Sequence, residues 1–189
     1  MIYLNDDLSH FDWQSALPQL SDQRREQALK FRHEQGRREC VAAYMLLRQA
    51  LLKEYGIQEP PLFTYGEHGK PAIVGHPAVH FNLSHCREAV LCVVGDVPVG
   101  VDVESLRKYK EPLAGYTMNE EEQAAILGSE CPAAAFTRLW TQKEAVLKLS
   151  GTGITNDLKT VLTDFSGQLQ TVETERYIYS IATNKTEQL

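Results

Sequence analysis

Two long helical patterns, each trailed by short β-like runs, set the strongest limit on what this chain can fold into. The first runs from about Glu34 to Tyr55, with Val41, Tyr44, Leu47, Leu51 and Leu52 on one apolar side and Gly56 as its stop. The second opens at Pro132, reaches about Leu149 and halts at Ser150, Gly151, Thr152 and Gly153. Ser21 caps a shorter helix to about Phe31, and Asn119 with Glu122 forms a capping box for another to about Leu127. The β-like runs are Leu62–Tyr65, Ala72–Val74, Val79–Leu83, Ala89–Val94 and Val99–Glu104, then Val161–Thr163, Leu169–Val172 and Tyr177–Ala182. Helices and strands are therefore segregated and come twice, an α+β order rather than strict βαβ alternation. The expected halves are residues 1–97 and 98–189. A polar tail from Thr183 is expected to fray.

Composition narrows the function classes. Nineteen Lys and Arg against 25 Asp and Glu leave a formal charge of −6, which argues against binding nucleic acid by phosphate neutralisation. No apolar run, Ala89 to Val94 included, approaches the ~18 residues a membrane span needs. The opening residues show no secretory signal, and a cytoplasmic location is expected. Cys40, Cys86, Cys92 and Cys131 form no C-x-x-C pair and read as reduced thiols, and the histidines make no zinc motif.

Three short motifs carry chemistry. From Val99 to Glu104 the chain alternates: Val99, Val101 and Val103 face one side, Gly100, Asp102 and Glu104 the other. Two carboxylates on one strand face can share a hard divalent cation, and Gly100 leaves room for a ligand to approach; a solvated acidic face is the plainer alternative. On the second long helix Trp140, Glu144 and Lys148 lie close to one line, so Glu144 can supply a third carboxylate and Lys148 a phosphate contact. A simple surface pair of Glu144 and Lys148 is the alternative. Asn82, Leu83, Ser84 and His85 read as a turn satisfying its own backbone, a phosphate-binding element, or a nucleophile with its base.

Taken in order, Phe81-Asn-Leu-Ser-His85, Val99-Gly-Val-Asp-Val-Glu104 and Trp140-Thr-Gln-Lys-Glu-Ala-Val-Leu-Lys148 resemble the 4′-phosphopantetheinyl transferases. The type they resemble is the monomeric, surfactin-synthetase-activating one, not the short trimeric holo-ACP-synthase type. The turn Gly69-Lys-Pro71 fits the same pattern, and the resemblance spans roughly residues 31 to 153. It implies two similar α+β halves related by a pseudo-twofold, with the active site in the cleft between them.

The resemblance implies a magnesium site at Asp102, Glu104 and Glu144, a pyrophosphate contact at Lys148, and phosphate contacts at Ser84 and His85. Lys70 matches the lysine of the Gly-Lys-Pro turn, and Lys143 precedes the metal-site glutamate with a less definite role. One departure stands out. Where the family carries a phosphate-binding arginine this chain has Glu39, and the neighbouring Arg38 is the expected substitute. The implied reaction moves phosphopantetheine from coenzyme A to a serine of an apo acyl or peptidyl carrier protein, releasing 3′,5′-ADP. Glu144 or a water on the metal would accept the serine proton. The rival readings are a magnesium-dependent hydrolase of the coenzyme A or nucleotide pyrophosphate, and a non-catalytic coenzyme A-binding module.

That reading changes how the charge is viewed. Residues 21–55 hold eight basic against five acidic side chains, a local excess of +3 that leaves −9 for the rest. A basic helical face suits an anionic cofactor and an acidic carrier helix.

Overall fold

The computed structural model describes residues 1–106, 109–153 and 158–184. The chain opens on strand β1 (Ile2–Asn5), followed by short helical turns that include α1 (Trp13–Ala16). Helices α2 (Asp22–Lys30) and α3 (Glu34–Tyr55) come next. Ser21 caps α2 as expected, and Gly56 ends α3 with φ 68°, a left-handed value that glycine takes without steric penalty. A small hairpin of β2 (Phe63–Tyr65) and β3 (Pro71–Ile73) precedes β4 (His80–His85) and β5 (Val90–Gly95). Then come β6 (Val99–Ser105), α4 (Glu111–Thr117), α5 (Glu120–Leu127), α6 (Pro132–Ser150), α7 (Val161–Asp164), β7 (Gln168–Glu173) and β8 (Tyr177–Thr183).

The same topology occurs twice. In the first sheet, ordered β1-β5-β4, the opening strand pairs with the last strand of a hairpin, and α3 is the long helix between them in sequence. In the second, ordered β6-β8-β7, β6 pairs with β8 in the same antiparallel way, and α6 is the intervening helix. The α+β class is as expected. The strand that opens each copy explains the repeat. β1 is not among the expected strands, and β6 reads in sequence as the last of the first strand run, although it opens the second copy.

Two sheets meet where β4 runs beside β6, and the junction is made by side chains. Asn82 Oδ1 accepts the Val101 N–H at 2.8 Å, and Ser84 Oγ accepts the Val103 N–H at 3.1 Å. Leu91 and Val93 of the first sheet share an apolar cluster with Val99, Val101, Val103 and Ile181 of the second. A larger cluster beneath the first sheet gathers Tyr44, Leu47 and Leu51 of α3 with Phe63, Phe81 and Val90. Burial of this kind contributes roughly 1.5–3 kcal/mol per large apolar side chain. Leu52, placed on that face by periodicity, is instead exposed.

Val161–Thr163, expected as a strand, is the single helical turn α7. Asp164 N–H donates to the Thr160 carbonyl at 2.9 Å and the Thr163 hydroxyl to the same carbonyl at 3.1 Å, so local bonds outweigh a weak β preference. The Asn82–Ser84 turn is likewise a strand, β4; those side chains satisfy backbone groups of β6 rather than their own. All four cysteines are free thiols. Residues 185–189 of the expected frayed tail lie outside the described residues. No helix among the described residues is long and apolar enough to cross a membrane.

Candidate active site at the seam

From Val99 to Val103 strand β6 is buried on both faces, which sets aside the alternative of a solvated acidic face. Asp102 is 4% exposed. Gly100 opens no space for a ligand: a Cβ there would lie 2.0 Å from the Ala145 carbonyl oxygen and 2.3 Å from the Leu149 nitrogen. Its bare backbone instead lets α6 lie directly on β6. That contact brings the Glu144 and Lys148 side of α6 to the seam.

Lys148 does not form a plain surface pair with Glu144. Its ammonium donates to Asp102 Oδ1 at 2.5 Å and to Ser84 Oγ at 3.1 Å. Ser84 Oγ in turn donates to Asp102 Oδ1 at 2.9 Å and is buried. One hydroxyl thus links β4, β6 and α6; buried, and with its oxygen already accepting from Lys148 and the Val103 N–H, Ser84 is not placed as a nucleophile. Asp102 Oδ2 is buried without a hydrogen-bond partner among the described residues. Glu104 Oε1 accepts the Trp140 indole N–H at 3.3 Å, and Trp140 stacks on Phe136.

A buried carboxylate oxygen with no hydrogen-bond partner among the described residues is the donor chemistry a hard divalent cation prefers, and in that respect Asp102 fits magnesium. As the side chains stand, no three His, Cys, Asp or Glu groups among the described residues converge on one point. Lys148 holds the positive charge at Asp102 instead.

Lys70 enters from the other copy of the fold. Gly69, with φ 80°, turns the β2–β3 hairpin so that the Lys70 ammonium reaches the Leu149 carbonyl at 2.7 Å. There it caps the C-terminal end of α6, where the helix dipole favours a cation. Burial pushes the Lys70 pKa down. A cleft of about 260 Å³ lies here, lined by Lys70, Pro71, Asn82, Leu83, Glu144 and Lys148.

Other expected residues sit apart from this cleft. His85 Nδ1 lies 3.0 Å from Glu39 Oε2. Arg38 is bound to Glu34 at 3.0 Å and lines neither this cleft nor the one beyond Leu83. Arg24, which is not among the candidates expected from sequence, lines that second cavity with His85. A signal for it exists, since Arg24 is among the basic residues of the capped helix α2. Lys143 is fully buried, donating to Glu122 Oε1 at 2.8 Å and to the Leu158 carbonyl at 2.7 Å. Its role is to pin α5 and the segment at Leu158 to α6.

Comparison with known proteins agrees with this arrangement. Residues 98–186 match the family model of the 4′-phosphopantetheinyl transferase superfamily. A 4′-phosphopantetheinyl transferase of Bacillus subtilis is 28% identical over 157 residues, covering 81% of this chain and 70% of the relative. The enzyme Sfp of the same species is 26% identical over 156 residues, with the same coverage. A 4′-phosphopantetheinyl transferase of Bacillus pumilus is 33% identical over 144 residues, 75% of this chain and 62% of the relative. With the ordered motifs gathered on one seam, the chain belongs to the 4′-phosphopantetheinyl transferase superfamily, among the relatives of Sfp.

Proposed function

We propose that the chain transfers the phosphopantetheine arm of coenzyme A to a carrier-protein serine, with residues 1–97 and 98–189 each supplying part of one site. The observation that carries this reading is the cleft where Lys70 from one copy of the fold meets Glu144 and Lys148 from the other. Two lysines and a carboxylate at one cleft suit a pyrophosphate whose reaction builds negative charge on the leaving oxygen. Asp102, Glu104 and Glu144 are the residues that would hold Mg²⁺, which when bound supplies charge neutralisation at the pyrophosphate oxygens.

Lys148 exchanges its contact with Asp102 for the pyrophosphate, adding positive charge where it develops. Ser84 and His85 contribute hydrogen bonds to phosphate oxygens. Glu144 accepts the proton of the attacking serine, directly or through a water. The bond that forms joins the serine oxygen to the β-phosphorus; the anhydride bond to the α-phosphate breaks, and 3′,5′-ADP leaves. The site acts as a monomer in the cytoplasm on an acyl or peptidyl carrier.

The test is incubation with coenzyme A, Mg²⁺ and an apo carrier, read by mass spectrometry. The carrier should gain one phosphopantetheine, and Glu144→Gln should slow this by about 10²–10⁴-fold. Coenzyme A cleavage that proceeds without carrier, with no mass gain, would show a hydrolase instead. No turnover and no mass gain, with coenzyme A still bound, would show a binding module.

A further inference from the structure

Of the two charges that meet at the seam, one is fixed and the other can move. Asp102 is buried on β6, and its backbone is held in the ladder with β8, opposite Ser180. The Lys148 side chain is 30% exposed and lines the cleft of about 260 Å³, so its ammonium has room to swing. That ammonium donates to Asp102 Oδ1 at 2.5 Å and to Ser84 Oγ at 3.1 Å, and Oδ1 also accepts the Ser84 hydroxyl at 2.9 Å. One carboxylate oxygen thus serves two donors, while buried Oδ2 has no hydrogen-bond partner among the described residues. A divalent cation taken at Oδ2 would share a single carboxylate with an ammonium, and like charges oppose each other strongly where water is excluded. Charges within about 4–6 Å of one another move a charge-dependent equilibrium by roughly 1–3 log units.

We propose that Lys148 is an internal counter-ion that competes with the divalent cation for Asp102, so that the cation is taken only as the ammonium leaves Oδ1 for the cleft. The identity of that cation as Mg²⁺ rests on the transferase reading above. Lys148 neutralises a carboxylate that would otherwise stand buried and unpaired, so the seam holds together without metal. Its release gives up the bonds to Asp102 and Ser84, while Ser84 Oγ keeps the Val103 N–H and with it the junction of β4 and β6. The cation affinity is lowered by the cost of that release. An anion in the cleft that holds the freed ammonium offsets the cost, so cation and anion strengthen each other's binding by the same factor. Toward the cation, Lys148 sets affinity without being a ligand.

The experiment measures Mg²⁺ binding to the protein without coenzyme A by calorimetry, and Mn²⁺ binding by electron paramagnetic resonance. Lys148→Met should bind either ion about tenfold or more tighter than wild type. Lys148→Arg, which keeps the competing charge, should stay within about threefold of wild type. Unfolding in urea, with and without saturating Mg²⁺, separates competition from a purely structural role. Lys148→Met should be less stable than wild type without metal, and Mg²⁺ should shrink that deficit by the same tenfold factor, about 1.4 kcal/mol. A structural role alone leaves the deficit unchanged by Mg²⁺. Ion binding that is unaltered or weaker in Lys148→Met, equally tightened in Lys148→Arg, or absent in wild type would overturn the proposal. If Lys148→Met does not fold, acylation of wild-type Lys148 by a water-soluble N-hydroxysuccinimide ester, read by peptide mass spectrometry, decides the matter. Mg²⁺ should raise that labelling severalfold while exposed Lys30 stays constant; equal labelling of Lys148 with and without Mg²⁺ would overturn the proposal. Carrier loading is read separately: its absence would sink the transferase reading, and the ion affinities would still decide the role of Lys148.

Discussion

Gly100→Ala tests whether the seam is held by direct backbone packing. The new Cβ would sit 2.0 Å from the Ala145 carbonyl oxygen, 2.3 Å from the Leu149 nitrogen and 2.9 Å from the Leu149 Cα. Ordinary contact begins near 3.4 Å, so the first distance must open by more than 1 Å. All three neighbours are backbone atoms of α6, and none can rotate away. The helix as a whole has to recede from β6. Overpacking of a core typically costs about 1–3 kcal/mol, and a rigid backbone clash belongs at the upper end. For a chain of this length, 3 kcal/mol corresponds to a Tm lowered by roughly 6–12 °C. Because α6 also carries Glu144 and Lys148, a displacement of about 1 Å should reduce transfer by about 100-fold. Thermal unfolding and carrier loading at a temperature where the variant stays folded would measure the two effects separately. Gly115→Ala is the control: no atom lies within 4 Å of its would-be Cβ, and its helix should gain about 0.5–1 kcal/mol. A Gly100→Ala protein that melts with wild type and keeps full activity would refute the packing argument.

Asn82→Ala strips the buried Val101 N–H of its only side-chain acceptor among the described bonds, and should lower stability in urea by about 1–3 kcal/mol. Lys143→Met leaves Glu122 partly buried beside no cation, and should lower stability by about 3–5 kcal/mol; adding Glu122→Gln should recover much of that loss. The Tyr177 phenol is pushed up to about 12 by burial and by its hydrogen bond to Asp6. The folded chain thus holds that proton to higher pH than the unfolded chain, whose phenol titrates near 10. Its contribution to stability is complete below pH 10 and declines as pH rises towards 12. In Tyr177→Phe the alkaline decline should be shallower; an identical slope would show that other groups govern it.

Much of the fold could be read from local rules, because caps and periodicity act within a few residues. Ser21, Gly56, the Asn119–Glu122 capping box and the glycine at 151 each mark a helix end that the structure places there. The losses have a shared cause. Strand β1 is only four residues long with two of them exposed, so it carries little pattern until β5 pairs with it. Helix α4 is seven residues long and contains both proline and glycine. Alternation placed Asp102 on a face of β6 but could not reveal that α6 covers that face. Gly100 was misread for the same reason: a glycine that admits a ligand and one that admits a helix look alike in one dimension.

Asp102 and Lys148 show why the candidate site was harder to read than its parts. A carboxylate buried between two sheets needs compensating charge, since an isolated one is strongly disfavoured. Lys148 supplies that charge to Oδ1, which also accepts the Ser84 hydroxyl, while Oδ2 keeps no partner among the described residues. The pair is therefore incompletely satisfied among the described residues, and the unsatisfied oxygen is the kind of donor a hard cation takes. Ser84 binds the same arrangement to the backbone of β6, and Lys70 closes it at the end of α6. The side chains assigned to chemistry thus also join the two copies of the fold. It follows that a substitution at Ser84 or Lys148 acts on stability and activity together.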